Sequence, residues 1–242
     1  MAGCGLLRGP ARPPVPTSAE ELLTGLSARR AAVTSLRGRA RLRAGVRGAW
    51  TRQAVIVRRP DAVRVDVMSP FGLVLAVGTR DEFLWAYPPG EGTRYEGPAS
   101  PANVARFLGA PFTVADLVDI LLGLPPARAP TGAPSLVTTR EGEYQLTLPV
   151  GHRVQTIWFA GDTLAVRRAE EAEDGVVLLR VAFGDYQNGF PHLLDVGAPP
   201  GGGARLAYEQ VEPNAPVDLA LFAPPPAPRV LPLDAAGASD GE

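Results

Sequence analysis

The spacing of apolar residues changes twice along the chain. Leu22, Leu26, Val33 and Leu36 recur near helical spacing, and Ser18 with Glu21 three residues later forms a capping box. The spacing therefore predicts a helix opening at Ser18 that lays one face on a core. From Leu36 the period switches to two, the signature of a half-buried strand. Trp50 to Arg58, Val63 to Met68, Leu73 to Val77 and Phe83 to Tyr87 read as strands, with turns at Pro60, Pro70-Phe71-Gly72, Gly78 and Pro88-Pro89-Gly90.

The pattern breaks between Ser100 and Pro126. Ser100-Pro101 is a cap followed by a first-turn proline, and Val104, Phe107 and Leu108 follow at helical spacing until Gly109. Thr113 with Asp116 caps a second short helix carrying Leu117, Ile120, Leu121 and Leu124, closed by Gly123 and Pro125-Pro126. Strands then resume over Glu143 to Val150, Val154 to Ala160, Thr163 to Ala169, Val176 to Phe183, Leu193 to Val196 and Ala204 to Val211. The expectation is a mainly β fold, in which about ten to twelve short antiparallel strands curl into a half-open barrel with an N-terminal helix. Such a barrel can hold an apolar cavity, and the two short central helices are natural lids. Residues 1–17, with Pro10, Pro13, Pro14 and Pro16, read as a tether, 18–222 as the barrel and 223–242 as a disordered Pro-rich acidic tail.

Composition removes several functions. Cys4 is the sole cysteine and is joined by only two histidines, His152 and His192, which excludes an internal disulfide and the usual Cys/His zinc site. All 24 basic residues are arginine, so Schiff-base lysine chemistry and a Walker-type phosphate loop are impossible. The formal charge of −1 hides an asymmetry. Residues 1–64 carry 13 arginines against Glu20, Glu21 and Asp61, for a net of +10, and the remainder carries −11. In Arg37-Gly38-Arg39-Ala40-Arg41-Leu42-Arg43-Ala44 the arginines take every second position and share one strand face. That face is either ordinary solvated surface or a contact for anionic lipid. No aromatic residue interleaves the run, which disfavours nucleic acid.

Catalysis has little support. Neither histidine lies near a nucleophile elbow, and Gly90-Glu91-Gly92 and Gly201-Gly202-Gly203 lack the helix a phosphate loop requires. The run Glu170-Glu171-Ala172-Glu173-Asp174 before Gly175 reads as the acidic tip of a hairpin. No metal, cofactor or enzymatic role is expected. What stands out is apolar: Phe83, Trp85 and Tyr87 share one strand face, as do Tyr144, Leu146 and Leu148, and Leu179, Val181 and Phe183. A packed core explains them without any ligand, while the cavity reading depends on the closed architecture, whose inward faces must be filled by side chains or by something bound. Phe71 sits at the tip of a tight turn where a polar residue is usual, as in a membrane or partner contact or a turn residue folded inward.

Ser69-Pro70-Phe71-Gly72, Arg106-Phe107-Leu108-Gly109-Ala110-Pro111-Phe112 and Leu117 through Ile120-Leu121-Leu122-Gly123-Leu124-Pro125 resemble, in order and spacing, the LolB family of outer-membrane lipoproteins within the LolA-type carriers. Arg59-Pro60-Asp61 leading into Arg64, and Phe222 before Pro224-Pro225, are similar to the same superfamily. The resemblance implies a half-open barrel that binds lipoprotein acyl chains without catalysis and inserts the lipoproteins into the outer membrane. It implies that Phe71 is the membrane-inserting residue. It also implies a cavity and lid drawn from Trp50, Val65, Leu75, Phe83, Trp85, Tyr87, Phe107, Leu117, Ile120, Leu121, Leu124, Leu146, Phe159, Val181 and Phe183. Ala2-Gly3-Cys4 resembles the end of a lipobox, with Cys4 as the lipid anchor, a signal peptide expected upstream of Met1, and Gly5 favouring the periplasmic face of the outer membrane. The partners implied are acyl chains or phospholipid, a periplasmic LolA-type carrier and the membrane, with a monomeric protein and no nucleic acid. Two other roles fit the same residues. One is a lipoprotein that binds free lipid or a hydrophobic ligand for storage or envelope signalling; the other is a structural subunit of an envelope assembly.

Overall fold

The computed structural model describes residues 14–45, 48–108, 112–198 and 202–233. Helix α1 (Ala19–Ala32) leads into β1 (Ser35–Ala44), β2 (Trp50–Arg58), β3 (Ala62–Ser69), β4 (Gly72–Arg80), β5 (Phe83–Tyr87) and β6 (Thr93–Pro98). Helices α2 (Pro101–Leu108) and α3 (Val114–Leu121) follow. The second half holds β7 (Ser135–Thr138), β8 (Tyr144–Val150), β9 (Arg153–Phe159), β10 (Val166–Glu173), β11 (Val176–Gln187), β12 (Phe190–Ala198), β13 (Gly202–Pro213) and β14 (Arg229–Pro232). The strands form one sheet in the order β14-β6-β5-β4-β3-β2-β1-β13-β12-β11-β10-β9-β8-β7. The β1–β13 pairing joins the two halves, and the sheet ends on β14 and β7 without closing. The architecture is thus a large open, mainly antiparallel sheet with an N-terminal helix, and it has fourteen strands among the described residues where ten to twelve are expected.

Ser18 caps α1 as the capping box requires, its hydroxyl accepting from the Glu21 backbone N–H while the Glu21 carboxylate accepts from the Ser18 N–H at 2.7 Å. The helix stops earlier than the apolar spacing suggests. Val33 is its extended C-cap, and Leu36 is buried on β1 instead. Strand alternation then divides the sheet into two faces. The inner face carries Leu36, Ala40, Val55, Val57, Val63, Leu146, Ile157, Val181 and Leu194, and packs against Leu22 and Leu26 of α1 and Val118, Ile120 and Leu121 of α3 in one core.

The outer face of β2–β6 is crossed by the segment after β13. Arginines hold this strap by donating to its backbone carbonyls: Arg58 to Val217 at 3.0 Å, Arg64 to Leu221 at 2.9 Å, and Arg94 to Pro225. The Trp85 indole donates to the Phe222 carbonyl at 2.9 Å, with Phe222 buried. These guanidiniums, two of them from the basic N-terminal quarter, thus satisfy backbone groups that would otherwise lack partners.

Three expectations change here. Gly78 lies inside β4 and not at a turn, because a Cβ there would meet the Trp85 ring at 2.4 Å, a close approach only glycine permits. The acidic run is strand β10 as far as Glu173, and only Asp174 and Gly175, both at positive φ, make the turn. Part of the expected tail is ordered. After the prolines, Arg229–Pro232 pairs in parallel with β6, and Leu233 is buried against Gly97. Prolines bar a segment from donating to a ladder, but the residues beyond them remain free to pair.

If Phe222 holds the strap, Phe222→Ala should lower stability by about 3 to 5 kcal/mol in urea titrations and expose the segment 215–228 to limited proteolysis. Phe83→Ala, at a position 38% exposed on the same face, should change stability by about 0.5 kcal/mol or less.

Candidate lipid cavity and its lid

Helix α3 is apolar except for two aspartates, and its geometry follows from how its ends and those carboxylates are satisfied. Thr113 caps the N-terminus, its hydroxyl accepting from the Asp116 N–H at 3.1 Å. At the other end Gly123 adopts φ 78°, and the Leu124 N–H reaches the Asp119 carbonyl at 2.9 Å. A Cβ on Gly123 would also meet Pro191 at 2.7 Å, so conformation and packing both demand glycine there. The Tyr208 hydroxyl, fully buried on β13, donates to the Leu121 carbonyl at 3.0 Å, and burial raises its pKa. The carbonyls of Pro125 and Pro126 accept from Arg30 Nη2 at 2.9 Å and Gln155 Nε2 at 2.8 Å.

The aspartates fix the helix laterally. Asp119, buried, accepts from Arg59 Nη1 at 2.6 Å and Arg30 Nε at 3.2 Å on one oxygen, and from the Ala127 N–H at 2.9 Å on the other. Asp116 takes both terminal nitrogens of Arg128, at 2.6 and 3.1 Å, and Arg128 Nη2 also lies 2.7 Å from the buried Glu171. Burial pushes the Glu171 carboxyl above the ordinary glutamate range; Arg128 pulls it down, Asp116 raises it again, and the net is upward.

Between this helical segment and the inner face lies a cavity of about 120 Å³. The sheet contributes Leu42, Gln53, Val63, Val65, Val67, Leu75, Val77, Thr79, Leu84, Leu194, Val196 and Leu206, and the helical segment contributes Val104, Phe112, Leu117, Ile120 and Leu121. Gln53 Oε1 is buried with no hydrogen-bond partner among the described residues, a rare condition, in a wall that is apolar but for Gln53 and Thr79.

The structure brings together Val65, Leu75, Leu117, Ile120 and Leu121 around this cavity. Leu124, Leu146, Phe159, Val181 and Phe183 are buried in the same core without lining it. The aromatic trio lies elsewhere. Trp85 is buried under the strap on the outer face, Tyr87 is half-buried and Phe83 exposed, because residues 83, 85 and 87 alternate with the inward Leu84 and Ala86. Trp50 also faces out, 42% exposed. Phe107 belongs to α2, but its side chain lies outside the described residues, as does Cys4. Sequence reasoning missed Leu84, Gln53, Leu42 and Leu194. The signal available was Gly78: a glycine within an alternating strand marks where a neighbouring ring lies, and so which face Trp85 occupies.

Phe71 is 100% exposed at the β3–β4 turn, where the Ser69 hydroxyl accepts from the Phe71 N–H at 3.1 Å and Gly72 takes φ 125°. Val67 and Leu75, each four residues from Phe71, line the cavity. The turn therefore projects from the two strands that floor the pocket, within roughly 13 Å of chain on either side.

Histidine, cysteine, aspartate and glutamate form no cluster able to hold a metal ion among the described residues. No family model and no curated protein matches this chain by sequence. Solved structures do. A domain described as an outer membrane lipoprotein-sorting protein from Vibrio parahaemolyticus superposes with a TM-score of 0.56 at 13% identity, covering 85% of this chain and 97% of that one. A LolA superfamily protein from Nitrosomonas europaea gives 0.55 at 15% identity, covering 86% and 99%. A DUF1329 family protein from Desulfovibrio piger gives 0.55 at 14% identity, covering 85% and 95%.

Two outcomes test the lid contacts. Asp119→Ala should cost on the order of 3 kcal/mol by urea titration, since it leaves two partly buried guanidiniums without their shared carboxylate. Because its pKa is higher folded than unfolded, Glu171 favours the folded state as pH falls and opposes it above that range. Glu171→Gln should therefore raise the urea midpoint at pH 7 and give no gain below about pH 4, where both forms are neutral. Taken together, the sheet order, the helical cover over its inner face and the matched structures show that this chain shares its fold with the solved lipoprotein-sorting domain from Vibrio parahaemolyticus and the LolA superfamily protein from Nitrosomonas europaea.

Proposed function

We propose that this protein binds lipoprotein acyl chains in the cavity beneath α3 and releases them to a membrane at the Phe71 turn, without catalysis. One observation carries the reading: a fully exposed phenylalanine caps the two strands whose inward residues Val67 and Leu75 form the floor of an apolar pocket. An acyl chain leaving the pocket along those strands would emerge where the aromatic ring meets the bilayer. The names of the matched Vibrio and Nitrosomonas structures, a lipoprotein-sorting domain and a LolA superfamily protein, support the same class of cargo. The outer membrane as the receiving bilayer, a periplasmic carrier as the donor and Cys4 as a lipid anchor belong to this proposal.

At about 120 Å³ the cavity is below the range of roughly 300 to 1,000 Å³ typical of pockets for drug-sized ligands. A cavity of roughly 150 Å³ accommodates benzene. An acyl chain thus enters by displacing α3. The exchange is close to balanced: side chains such as Val118, Ile120 and Leu121 each lose about 1.5 to 3 kcal/mol of burial, while each methylene taken in recovers about 0.8 kcal/mol. A helix held by apolar contact and a few ion pairs is therefore a lid that lipid can replace. Transfer needs no fuel if each successive site, carrier, pocket and bilayer, binds the chain more tightly than the last.

Leu117→Trp, which fills the pocket, should weaken binding of a fluorescent fatty acyl probe by about tenfold or more while leaving the far-ultraviolet circular dichroism unchanged. Phe71→Glu should leave probe binding intact and abolish transfer of a triacylated lipopeptide to vesicles. Transfer by Phe71→Glu at the wild-type rate overturns the delivery role, and unchanged probe binding by Leu117→Trp overturns the cavity.

A further inference from the structure

Among the described residues, the outer face of the sheet is covered at one end and bare at the other. The strap satisfies Arg58, Arg64 and Arg94 with its carbonyls. Beside the Phe71 turn no described segment plays that part. Here Arg41 stands opposite Arg52 on β2, and Arg43 stands opposite Arg205 on β13. Like charges directly across a ladder destabilise a sheet unless something neutralises them. Glu209 lies 3.0 Å from Arg41, and Asp195 pairs with Arg205. Arg43 and Arg52 make no ion pair or hydrogen bond among the described residues, and Arg43 Nε is buried without a partner.

Apolar groups complete the surface. Trp50, paired with Arg43 in the ladder, lies beneath the Arg41 and Arg43 guanidiniums, their central carbons 5.6 and 5.3 Å from its ring centre. An aromatic residue does therefore accompany the arginine run, supplied by the neighbouring strand. Met68 and Leu73 pair with each other across β3 and β4, each exposed, and Met68 stands opposite Arg52. Beside Phe71 the face thus sets apolar, aromatic and cationic groups side by side, with Trp50 level with Arg43, and Met68 and Leu73 level with Arg52. Apolar side chains, an indole and cations without carboxylate partners are together the groups that a lipid surface with anionic headgroups takes.

We infer that this uncovered end of the outer face is a docking site for anionic phospholipid headgroups, with Arg43 and Arg52 as the residues that bind phosphate. The inference rests on the reading of Phe71 as a membrane contact and adds to it the lipid class of the surface it meets. An anion at this position supplies the counter-charge that Arg43 and Arg52 lack among the described residues, Arg41 and Arg205 each having a carboxylate already.

Flotation of the full chain with vesicles of phosphatidylcholine alone, or phosphatidylcholine containing phosphatidylglycerol, tests this. Wild type should bind the anionic vesicles more tightly, and added salt should erode that preference. Arg43→Gln with Arg52→Gln should weaken binding to anionic vesicles about 30-fold, each arginine near such a surface contributing roughly a factor of five, and leave the neutral vesicles unaffected. Phe71→Ser should weaken both. Equal binding of wild type to the two compositions, or a double variant that binds anionic vesicles like wild type, overturns the inference, as does a preference for a single-stranded oligonucleotide over anionic vesicles. The salt titration of wild type decides the matter even if the double variant fails to fold. Loss in the double variant with none in Phe71→Ser upholds the arginine site and overturns the reading of Phe71.

Discussion

Asp119 and Asp116 place two carboxylates on a helix that is otherwise apolar, and both are buried. A buried carboxylate must be paired, so the position of α3 is set by where the cations are. Arg30 comes from α1, Arg59 from the end of the β2 hairpin and Arg128 from the segment after α3. Three parts of the chain therefore converge on one short helix and hold it over the inner face. The cavity exists because α3 is fixed at that height: its apolar residues touch the sheet around the pocket but do not fill it. Apolar contact is non-directional and would allow the helix to slide, whereas the ion pairs specify a register.

The same sheet carries opposite chemistry on its two faces. Alternation sends Leu42, Val65 and Val77 inward to the cavity and Arg41, Arg64 and Gly78 outward. On the outer face the arginines meet the carbonyls of the strap, a neighbouring acidic or amide side chain or, at Arg43 and Arg52, neither among the described residues. The strap end is closed by Trp85 and Phe222, while the Phe71 end is open. An arginine-only basic complement suits this arrangement, since the guanidinium can donate to several backbone carbonyls at once and stacks on indole rings such as Trp50 and Trp85.

Much of this was legible before the structure. The Ser18 capping box, the Thr113 cap, the closure at Gly123 and the strand alternation of β2 and β5 depend on neighbouring residues, and each appears where local physics puts it. What could not be read were features set by distant partners. Which face of β5 points inward depends on the contact between Gly78 and Trp85 and on a strap more than 130 residues away in sequence. The exposure of Phe71 was open because a turn residue can fold inward, and only the geometry of the turn settles it. Glu171 looked like a loop acid because its partner Arg128 is 43 positions earlier, in a proline-rich stretch without any periodic signal. β14 was hidden for a similar reason, since four prolines precede a strand whose pairing partner lies far upstream.

The central claim is that an acyl chain occupies the space under α3. A triacylated lipopeptide with a photoreactive diazirine near the chain terminus, cross-linked to the full-length protein and mapped by peptide mass spectrometry, reads that location directly. The account predicts adducts on inner-face and lid residues such as Leu117, Ile120, Val65 and Leu194, competed away by unlabelled lipopeptide. Adducts confined to the outer face around Trp50 and Leu73, or none that compete, would contradict it.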